Sequence, residues 1–600
     1  MRKLVQGRRR VAGLSLGLVA ALAVAVGVTV SLVGAADQPS AEISVSAQQI
    51  HAKASGPAAN ISVAGLPQVA EGTAAAPAKL PFLSPLGNTA LAQAQQNASA
   101  NAPTASQVTS SAPASPSTPG AAVLGWEGMK NSGTICSYFG SGGCQPPDMA
   151  IASDGTNAVQ VVNTSLAVYD AKTGALRSGF PKNLQDFFGV PAPTPANCDK
   201  EHGNQPFLSD PRAFYDPVKK RFWVAALQVE DAAGLSPKCD FVSRYWVAAS
   251  ASSDPTGVWH VYSIDTGGLV GGPKSVADYT QMGFNQEAVF IGGNQFNQSG
   301  TGFFGAWTLA IPKARAERGG NLGTVTGFGG YTASDGSTTR LLDTVQPTAS
   351  YGSAAGPAGE ILVSSFNEAV TESKVVVFDF SNALNGVPGH GQTLSAVTVN
   401  TLPYSQPPLA DNFPACRDCL ETIDNRISAT PVYMHGNVYY THDSAVNNGT
   451  AVNANVLWGV IHPVLSQKSV SGCTLCSTIT GGTSMVDQDY ITYAGETDDW
   501  FGAIQPDREG NLFVGFDYGS TTFTTSPSIV YKAKRATAAS FADGGVFLRQ
   551  AKNATNDVRW GDYEAVTFEG WDSNQILIAA QYAGTNQSWA THIEDRKSVV

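Results

Sequence analysis

Short runs of small, β-branched and aromatic residues, separated by polar turns, recur along the chain from about residue 124 onwards. In each copy a polar residue, usually aspartate, precedes a small apolar run, a turn rich in Gly, Asp, Asn or Pro, and a second β-rich run. The stretches "PDMAIASDGTNAVQVVN" and "GDYEAVTFEGWDSNQILIAAQ" show this order near the two ends of the region. No long segment keeps helical periodicity, so the pattern predicts repeated β-hairpins.

Seven copies of this hairpin occur, at intervals of 62 to 81 residues. A fixed-period repeat of short antiparallel strands is typical of a propeller, and these intervals leave room for four strands and long loops. We therefore predict an all-β fold, a seven-bladed β-propeller that occupies residues 121–600. Residues 123–128, "VLGWEG", would supply the fourth strand of the last blade and so close the ring.

Two segments precede the repeats. Residues 1–36 begin with five basic residues, continue as an apolar run to about Val33, and end in small residues near Ala35 and Ala36. This pattern is typical of a secretory signal peptide, but the apolar run is also long enough for a membrane anchor, so both interpretations stay open. Residues 37–120 are rich in Ala, Ser, Pro, Gln and Asn, which predicts a disordered stalk.

The net charge narrows the range of partners. It is −11 for the whole chain and −16 without the basic leader. A chain this acidic repels phosphate backbones, which argues against a nucleic-acid partner. The charge is compatible with cations, basic partners or neutral glycans, and equally with simple solubility.

The even number of cysteines in a chain with an export signal predicts disulfides. Cys136 with Cys144, and Cys198 with Cys239, are the natural local pairs. The motifs "CRDC" and "CTLC" leave three alternatives open: a disulfide within each motif, disulfides between the motifs, or a four-thiolate zinc site. The eight predicted disulfide cysteines are Cys136, Cys144, Cys198, Cys239, Cys416, Cys419, Cys473 and Cys476.

The residues at the strand starts are the main candidate site, because equivalent positions of propeller blades converge around one axis. Their carboxylates would bind Ca²⁺ or a polar ligand, with arginines as counter-charges. Alternatively, each aspartate accepts backbone N–H groups of the loop before its strand, a structural role that we favour. The candidate ligand-binding residues of this axial mouth are Asp148, Asp210, Arg212, Asp278, Tyr279, Asp343, Arg426, Arg559, Asp562 and Tyr563; the two remaining blades place Asp424 and Asp498 or Asp499 there.

Other candidate chemistry is sparse. The eight histidines lack the spacing of metal ligands, so they predict no metal site, and Ca²⁺ at the axial mouth is the candidate cofactor. Trp500, Trp571 and Trp589 are candidates to stack on sugar rings, although packing is the commoner role of tryptophan in a sheet.

Five further stretches follow one another along the chain: "QPPDMAIASDGTNAVQVVNTSLAVYDAKTG", "SDPRAFYDPVKKRFWV", "ASSDPTGVWHVYSID", "ADYTQMGF" and "RWGDYEAV". In that order they resemble a family of exported bacterial β-propeller proteins, and the resemblance covers about 145–595. "SSDPTGVW" also resembles the Asp-box of sialidases, with Ser252, Asp254 and Trp259 at the motif's spacing, although Gly257 is shifted by one place and the threonine is missing. In those proteins the Asp-box is a turn between outer strands, so it implies a fold and no chemistry.

The sialidase resemblance also implies a set of residues to look for. A sialidase clamps the sugar carboxylate with three arginines and uses a Tyr–Glu nucleophile pair with an aspartic acid. Arg212, Arg426 and Arg559 lie near strand starts, and Tyr279 and Tyr563 follow strand-start aspartates. No Arg-Ile-Pro motif accompanies them.

Together these features predict a protein secreted from the cell or held at its surface, which binds a glycan or an extracellular protein through one axial face. Membrane contact is expected only through residues 1–36, if the leader is not cleaved. The alternatives are a sialidase-like glycoside hydrolase and a purely structural envelope protein. An enzyme needs two carboxyl groups, or a Tyr–Glu pair, close together in a cleft, whereas a binding protein needs concavity with aromatic or polar contacts.

Overall fold

Strands dominate the chain because its apolar runs are short, β-branched and broken by turn residues. The computed structural model describes residues 41–70, 78–79, 83–115, 122–136, 143–191, 207–230, 241–334, 336, 339–351, 359–366, 371–385, 391–467, 476–541 and 544–597. The elements before the first sheet are β1 (Ala41–Glu42), β2 (Ser44–Lys53), β3 (Ala59–Ser62), a 3-10 turn (Val63–Gly65), β4 (Ala78–Lys79), α1 (Asn88–Gln96), α2 (Ala98–Asn101), β5 (Ala122–Lys130) and β6 (Cys144–Gln145).

Seven four-stranded antiparallel units follow, and each contains one of the predicted hairpins. Blade 1 contains β7 (Ala150–Ser153), β8 (Asn157–Val162), β9 (Ser165–Asp170) and β10 (Lys182–Asn183), and α3 (Leu184–Phe188) follows it. Blade 2 contains β11 (Phe207–Asp216), β12 (Arg221–Glu230), β13 (Val242–Ser250) and β14 (Val258–Asp265). Blade 3 contains β15 (Val276–Phe284), β16 (Ala288–Phe296), β17 (Phe303–Pro312) and, after α4 (Lys313–Ala316), β18 (Thr324–Ser334), with β19 (Thr339–Leu341) beside it.

Blade 4 contains β20 (Gln346–Pro347), β22 (Gly359–Ser365), β23 (Glu372–Ser381) and β24 (Thr393–Tyr404), with β21 (Ala349–Ser350) continuing its first strand and the hairpin β25 (Ala410–Asn412) and β26 (Cys416–Leu420) following. Blade 5 contains β27 (Val432–Met434), β28 (Asn437–Asn447), β29 (Val452–His462) and β32 (Ser484–Tyr490), with the hairpin β30 (Leu465–Gln467) and β31 (Ser477–Ile479) between the last two. Blade 6 contains β33 (Thr497–Pro506), β34 (Leu512–Ser520), β35 (Thr525–Lys534) and β36 (Val546–Arg549). Blade 7 contains β37 (Ala565–Gly570), β38 (Gln575–Ala583) and β39 (Trp589–Lys597).

The prediction of an all-β seven-bladed propeller is therefore confirmed, and so is the predicted closure. The fourth strand of blade 7 is β5, which pairs antiparallel with β39 so that Trp126 lies opposite Ile593. β5 thus completes the last sheet and gives the edge of β39 a partner.

The core lies between neighbouring sheets. Val159 and Val161 of blade 1 and Val224 and Ala226 of blade 2, for example, belong to one fully buried cluster. β-Branched and small side chains alternate there with aromatic ones such as Trp246 and Trp259, and together they fill the layer between the two blades.

The prediction of a disordered stalk over 37–120 is wrong for the part that the structure describes. β1 pairs with β24 of blade 4, β2 with β18 of blade 3, and β3 with β14 of blade 2. Further on, single bridges join Thr104 to Asn447 and Ala114 to Val546. This N-terminal strap satisfies its backbone on the exposed outer edges of the blades, a source of order that its polar composition does not reveal.

The structure contains one of the predicted local disulfides and decides between the alternatives for "CRDC". Cys136 is bonded to Cys144, and Cys416 is bonded to Cys419, so the "CRDC" sulfurs form a disulfide within the motif. Cys476 is also disulfide-bonded. Cys198, Cys239 and Cys473 lie outside the described residues.

Residues 37–600 form one compact unit. The leader predicted over residues 1–36 lies outside the described residues. Among the helices that the structure does describe, none is long and apolar enough to span a bilayer.

Candidate functional site

A left-handed backbone conformation marks the start of the innermost strands. We call the face at which these strands begin the strand-start face, and the face at which they turn into their second strands the turn face. Six non-glycine residues at the strand starts have φ between 44° and 61°, a conformation that costs free energy unless the surroundings hold it. They are Asp148, Asp210, Tyr279, Thr344, Ile423 and Phe501.

Side chains of the preceding blade hold these residues in place. The Asn163 side-chain oxygen accepts the N–H of Asp210 at 2.9 Å, and the Asp210 carboxylate accepts the N–H of Tyr279 at 3.1 Å. Asp443 accepts the N–H of Phe501 in the same way, at 2.9 Å. Asp210 and Asp443 thus hold backbone N–H groups, as the structural role of the strand-start aspartates requires, but the N–H groups belong to the next blade rather than to the loop before their own strand.

Three of the predicted aspartates meet at the axis. Asp148, Asp210 and Asp562 come from blades 1, 2 and 7, and one carboxylate oxygen of each lies within 4.8 Å of the others. Asp148 accepts the N–H of Asp562 at 3.0 Å and the side-chain amide of Asn163 at 2.8 Å. All three carboxylates are buried, so they form part of the interior of the ring.

Arg212 fills the space beside these carboxylates. Its guanidinium donates to the backbone carbonyls of Thr280 at 2.8 Å and Ser428 at 3.0 Å, which belong to blades 3 and 5. The same group lies 3.3 Å from the centre of the Tyr563 ring, at a distance typical of a strong cation–π contact. Arg212 therefore joins four blades near the axis.

The other two predicted arginines are paired with their own neighbours. Arg426 donates to both oxygens of Asp424 at 2.6 Å, and Arg559 donates to both oxygens of Asp562 at 2.5 and 3.1 Å. Bidentate pairs of this kind fix the plane of a guanidinium. The three guanidiniums thus bind acceptors of the protein rather than facing one open space.

The two predicted tyrosines connect opposite sides of the ring. Tyr563 donates to the carbonyl of Pro211 at 2.8 Å, and Tyr279 donates to the carbonyl of Asp562 at 3.2 Å. We refer to the residues that these contacts join as the axial cluster: Asp148, Asp210, Arg212, Asp278, Tyr279, Arg426, Arg559, Asp562 and Tyr563.

Burial, together with the excess of aspartates over arginines in the axial cluster, raises the pKa of three of its aspartates. Burial raises the pKa of Asp148 well above its usual value, and the charges of Asp562 and Asp210 raise it further. Burial and the charge of Asp562 raise the pKa of Asp210 to about 6. The pKa of Asp278 is also raised well above its usual range, first by burial and then by Asp210 and Asp562. The cluster therefore holds protons at a pH where exposed aspartates are ionised.

The remaining strand-start aspartates lie elsewhere. Asp498 accepts the backbone N–H groups of Asp411 and Ala454, and Asp499 accepts that of Val456, so this pair connects blades 5 and 6. Asp424 joins the cluster through its pair with Arg426, and Asp343 is buried at the start of blade 4. The predicted ring of seven carboxylates is thus reduced to a group of four with Asp278.

The strap crosses the strand-start face. Residues 78–79 pair with β6, which leads into Asp148, and Gln95 of α1 donates to the carbonyl of Ile423 at 2.7 Å. The strap then meets blade 5, where the N–H of Asn447 donates to the carbonyl of Pro103 at 2.7 Å. The face that was predicted to hold the ligand is therefore occupied at several points by the chain's own N-terminal segment.

The turn face carries an open cleft. Its volume is about 790 Å³, and it is formed by the turns of blades 1, 2 and 7. This volume is within the range of small-molecule sites. Two half-exposed aromatic rings lie in its walls, Tyr215 from blade 2 and Trp571 from blade 7. The other polar residues that line this turn-face cleft include Asp154, Lys172, Lys220, Ser253, Glu569, Asp572 and Ser573.

Aromatic side chains also surround the turn end of the axis. Tyr351 packs edge-on against Phe284 at 5.3 Å and against Phe568 at 5.2 Å, and it lies 6.3 Å from Trp571. A cavity of about 60 Å³ on the axis is lined by Tyr351 and, among others, Arg212. The axial cavity is therefore small beside the cleft that the turns of blades 1, 2 and 7 form.

Sequence reasoning identified one wall of this cleft and missed the other. Trp571 was a candidate for sugar stacking, whereas Trp500 and Trp589, its two companions in that prediction, are fully buried and pack in the core. Tyr215 was not singled out, because it lies in an ordinary hairpin and becomes notable only through neighbouring blades. The signal available was its place just before the polar turn "DPVKK".

No family model and no curated protein matches the chain. Similar solved structures include the phage phi92 endosialidase (8% identity, 79% of this chain and 70% of that chain, TM-score 0.33) and Trypanosoma rangeli sialidase in complex with sialic acid (8%, 65% and 54%, 0.31). Another is Drosophila Plexin A in complex with Semaphorin 1b (8%, 81% and 88%, 0.31). These TM-scores lie below 0.5, so the similarities carry no argument about a ligand or a reaction.

Proposed function

We propose that this protein is an exported binding protein that takes a glycan or an extracellular protein on one axial face of the propeller, namely the turn face. The observation that carries the proposal is the cleft there, which combines a suitable volume with exposed polar groups and two aromatic walls. Disulfides between Cys136 and Cys144 and between Cys416 and Cys419 support a location in an oxidising compartment outside the cytosol.

The glycoside hydrolase alternative has less support. A carboxylate clamp needs guanidiniums that face the substrate, and here Arg212, Arg426 and Arg559 all bond to carbonyls or carboxylates of the protein. The alternative of a purely structural protein leaves the exposed aromatic cleft unused. Ca²⁺ binding by Asp148, Asp210 and Asp562 stays a prediction, since their oxygens suit a hard cation but also accept N–H donors of the protein.

The test is a binding screen of the purified protein on arrays of glycans and of secreted proteins. Ser253 is exposed and lines the cleft, so Ser253→Trp should fill the cleft without disturbing the core. Ser299 is equally exposed but lies on the strand-start face, and Ser299→Trp is the matched control. We expect binding to be lost in the first variant and kept in the second. Binding that survives in Ser253→Trp, or is lost only in Ser299→Trp, would contradict a ligand site on the turn face.

A further inference from the structure

We propose that the turn-face cleft binds an uncharged oligosaccharide, with Trp571 and Tyr215 as the surfaces on which sugar rings stack. This inference rests on the proposed binding function and specifies the ligand class of the same site. It follows from how the two rings are held, from the construction of the floor, and from the balance of charge at the rim.

Trp571 is held in position before any ligand arrives. Its ring packs edge-on against Phe568 at 5.0 Å and lies nearly parallel to Tyr351, with ring centres 6.3 Å apart. The guanidinium of Arg508 lies 5.4 Å from the ring, and Arg508 also donates to the backbone carbonyl of Trp571 at 3.4 Å. A half-exposed ring fixed in this way offers stacking surface with little loss of side-chain entropy on binding.

Tyr215 forms the facing wall. Its ring packs on Phe222 with the ring centres 4.8 Å apart, which leaves the other side of a half-exposed side chain towards the cleft. Burial raises the pKa of its hydroxyl, and the charges of Asp154, Asp216 and Asp572 act in the same direction. The hydroxyl therefore stays protonated and is a donor close to two carboxylates of the rim, which suits the many hydroxyl groups of a sugar.

The floor of the cleft is a tight contact between the turns of blades 1 and 7. A Cβ at Gly570 would lie 3.0 Å from the Cα of Gly155, so a side chain at this position would push the two turns apart. The hydroxyl of Ser153 donates to the carbonyl of Glu569, and the carboxylate of Glu569 accepts the hydroxyl of Ser573 at 2.9 Å. The two turns thus keep a fixed shape beneath the aromatic walls.

The two signs of charge are balanced at the exposed rim: Lys172, Lys220 and Asp572 are exposed, and Asp154 is half-exposed. The other acidic residues that line the cleft, Glu569 and Asp595, are buried. An anionic sugar would face the two carboxylates, and a cationic polymer would face the two lysines. An uncharged sugar chain meets neither penalty and can use all four groups as hydrogen-bond partners.

The experiment is titration calorimetry of the full-length protein with defined oligosaccharides: malto-, cello-, xylo- and chito-hexaose as uncharged probes, and sialyllactose and oligogalacturonate as anionic ones. We expect at least one uncharged probe to bind, and Trp571→Ala and Tyr215→Ala to weaken it by about fivefold or more, as loss of an aromatic contact predicts. Phe523 is a half-buried aromatic residue on the strand-start face, and Phe523→Ala should leave the affinity unchanged.

Because Trp571 also packs against its neighbours, Asp572→Trp is a second variant: Asp572 is exposed at the rim, and the larger side chain should block the cleft without disturbing the fold. Thermal unfolding of each variant establishes that it is folded. If Trp571→Ala, Tyr215→Ala and Asp572→Trp all bind the oligosaccharide as tightly as the wild type does, this inference is wrong, whereas the proposed binding function stands. A cleft that takes only anionic sugars or a protein would overturn the ligand class. Absence of any ligand, on these probes and on both arrays, would remove the proposed function as well.

Discussion

The buried carboxyl of Asp443 yields a prediction whose size can be worked out. Asp443 lies on β28 of blade 5 and is 2% exposed. One of its oxygens accepts the N–H of Phe501, the left-handed residue that starts blade 6. Burial raises its pKa to about 8, against the lowering effect of the N–H groups of Phe501 and Gly502 and with a further rise from the charge of Asp424.

The sign of the effect follows from comparing the two states. In the unfolded chain the carboxyl ionises near its ordinary pKa of 3.8, whereas in the folded protein it stays protonated up to about pH 8. The folded state binds the additional proton over that interval, so stability is greatest below pH 3.8 and falls as the pH rises towards 8. Each pH unit between these two pKa values lowers the free energy of unfolding by about 1.4 kcal/mol. The ionisation of Asp443 therefore lowers it by at most roughly 6 kcal/mol over the whole interval.

Asp443→Asn should remove this pH dependence. The amide keeps the shape and can still accept the N–H of Phe501, but it has no charge to develop. We expect the variant's free energy of unfolding, measured by guanidinium denaturation, to equal the wild-type value near pH 4 and to exceed it increasingly up to pH 8. A constant difference for Asp443→Asn would refute the assignment of a protonated carboxyl.

Three further substitutions test the ring, its closure and the strap. Arg212→Met should lower the free energy of unfolding by about 3–5 kcal/mol in guanidinium titrations, because the buried carbonyls of Thr280 and Ser428 lose their donor and the Tyr563 ring loses its cation; Arg212→Lys should recover only part of this. Trp126→Ala, which removes the contact of β5 with Tyr169 in blade 1, should cost about 3–5 kcal/mol and lower the melting temperature; an unchanged value would contradict closure through β5. Ile50→Asp should speed amide exchange in β2 and β18, whereas Gln48→Asp, at an exposed position of β2, should not.

The blades were predictable because each carries its own local signal. The hairpin from Asp562 to Gln581, for example, contains two β-rich runs and a polar turn within about twenty residues, and such patterns survive whatever surrounds them. The closure by β5 was also accessible, since seven repeats left one strand missing at the end and one unassigned apolar stretch at the start. Both inferences depend on counting repeats and do not need the packing of any one side chain.

The strap was not predictable from its composition. β2 buries Ile50 and Ala52 against the core and exposes Gln48, Gln49 and His51, yet as a separate segment it lacks enough apolar surface to offset the entropy of ordering. Its order comes from the open edge of β18, more than 270 residues further along the chain. Strand addition to an existing edge is decided by that edge, and a sequence pattern within the strap cannot report it.

The sequence predicted where the strand-start aspartates meet, but not that their carboxylates are buried and paired. Equivalent blade positions converge near the axis, so Asp148, Asp210 and Asp562 do meet as expected. Their burial, and the pairing of Arg559 with Asp562, depend on how the side chains fill the axis after the ring has closed. The turn-face cleft was harder still, because its walls come from turns more than 350 residues apart and neither turn is unusual by itself.

The two faces of the ring therefore suit different tasks. On the strand-start face the ionisable residues hold left-handed turns and join blades: Arg212, for example, contacts three other blades. The strap adds contacts from Gln95 and Pro103 across the same face. A ligand that used the axial cluster would have to displace these bonds, and each buried group left without a partner costs about 1–3 kcal/mol. On the turn face Lys172, Lys220 and Asp572 present exposed side chains, so a ligand can engage them without displacing the bonds of the axial cluster. This difference in cost is the physical reason for expecting recognition at the end of the propeller where the strands turn rather than where they begin.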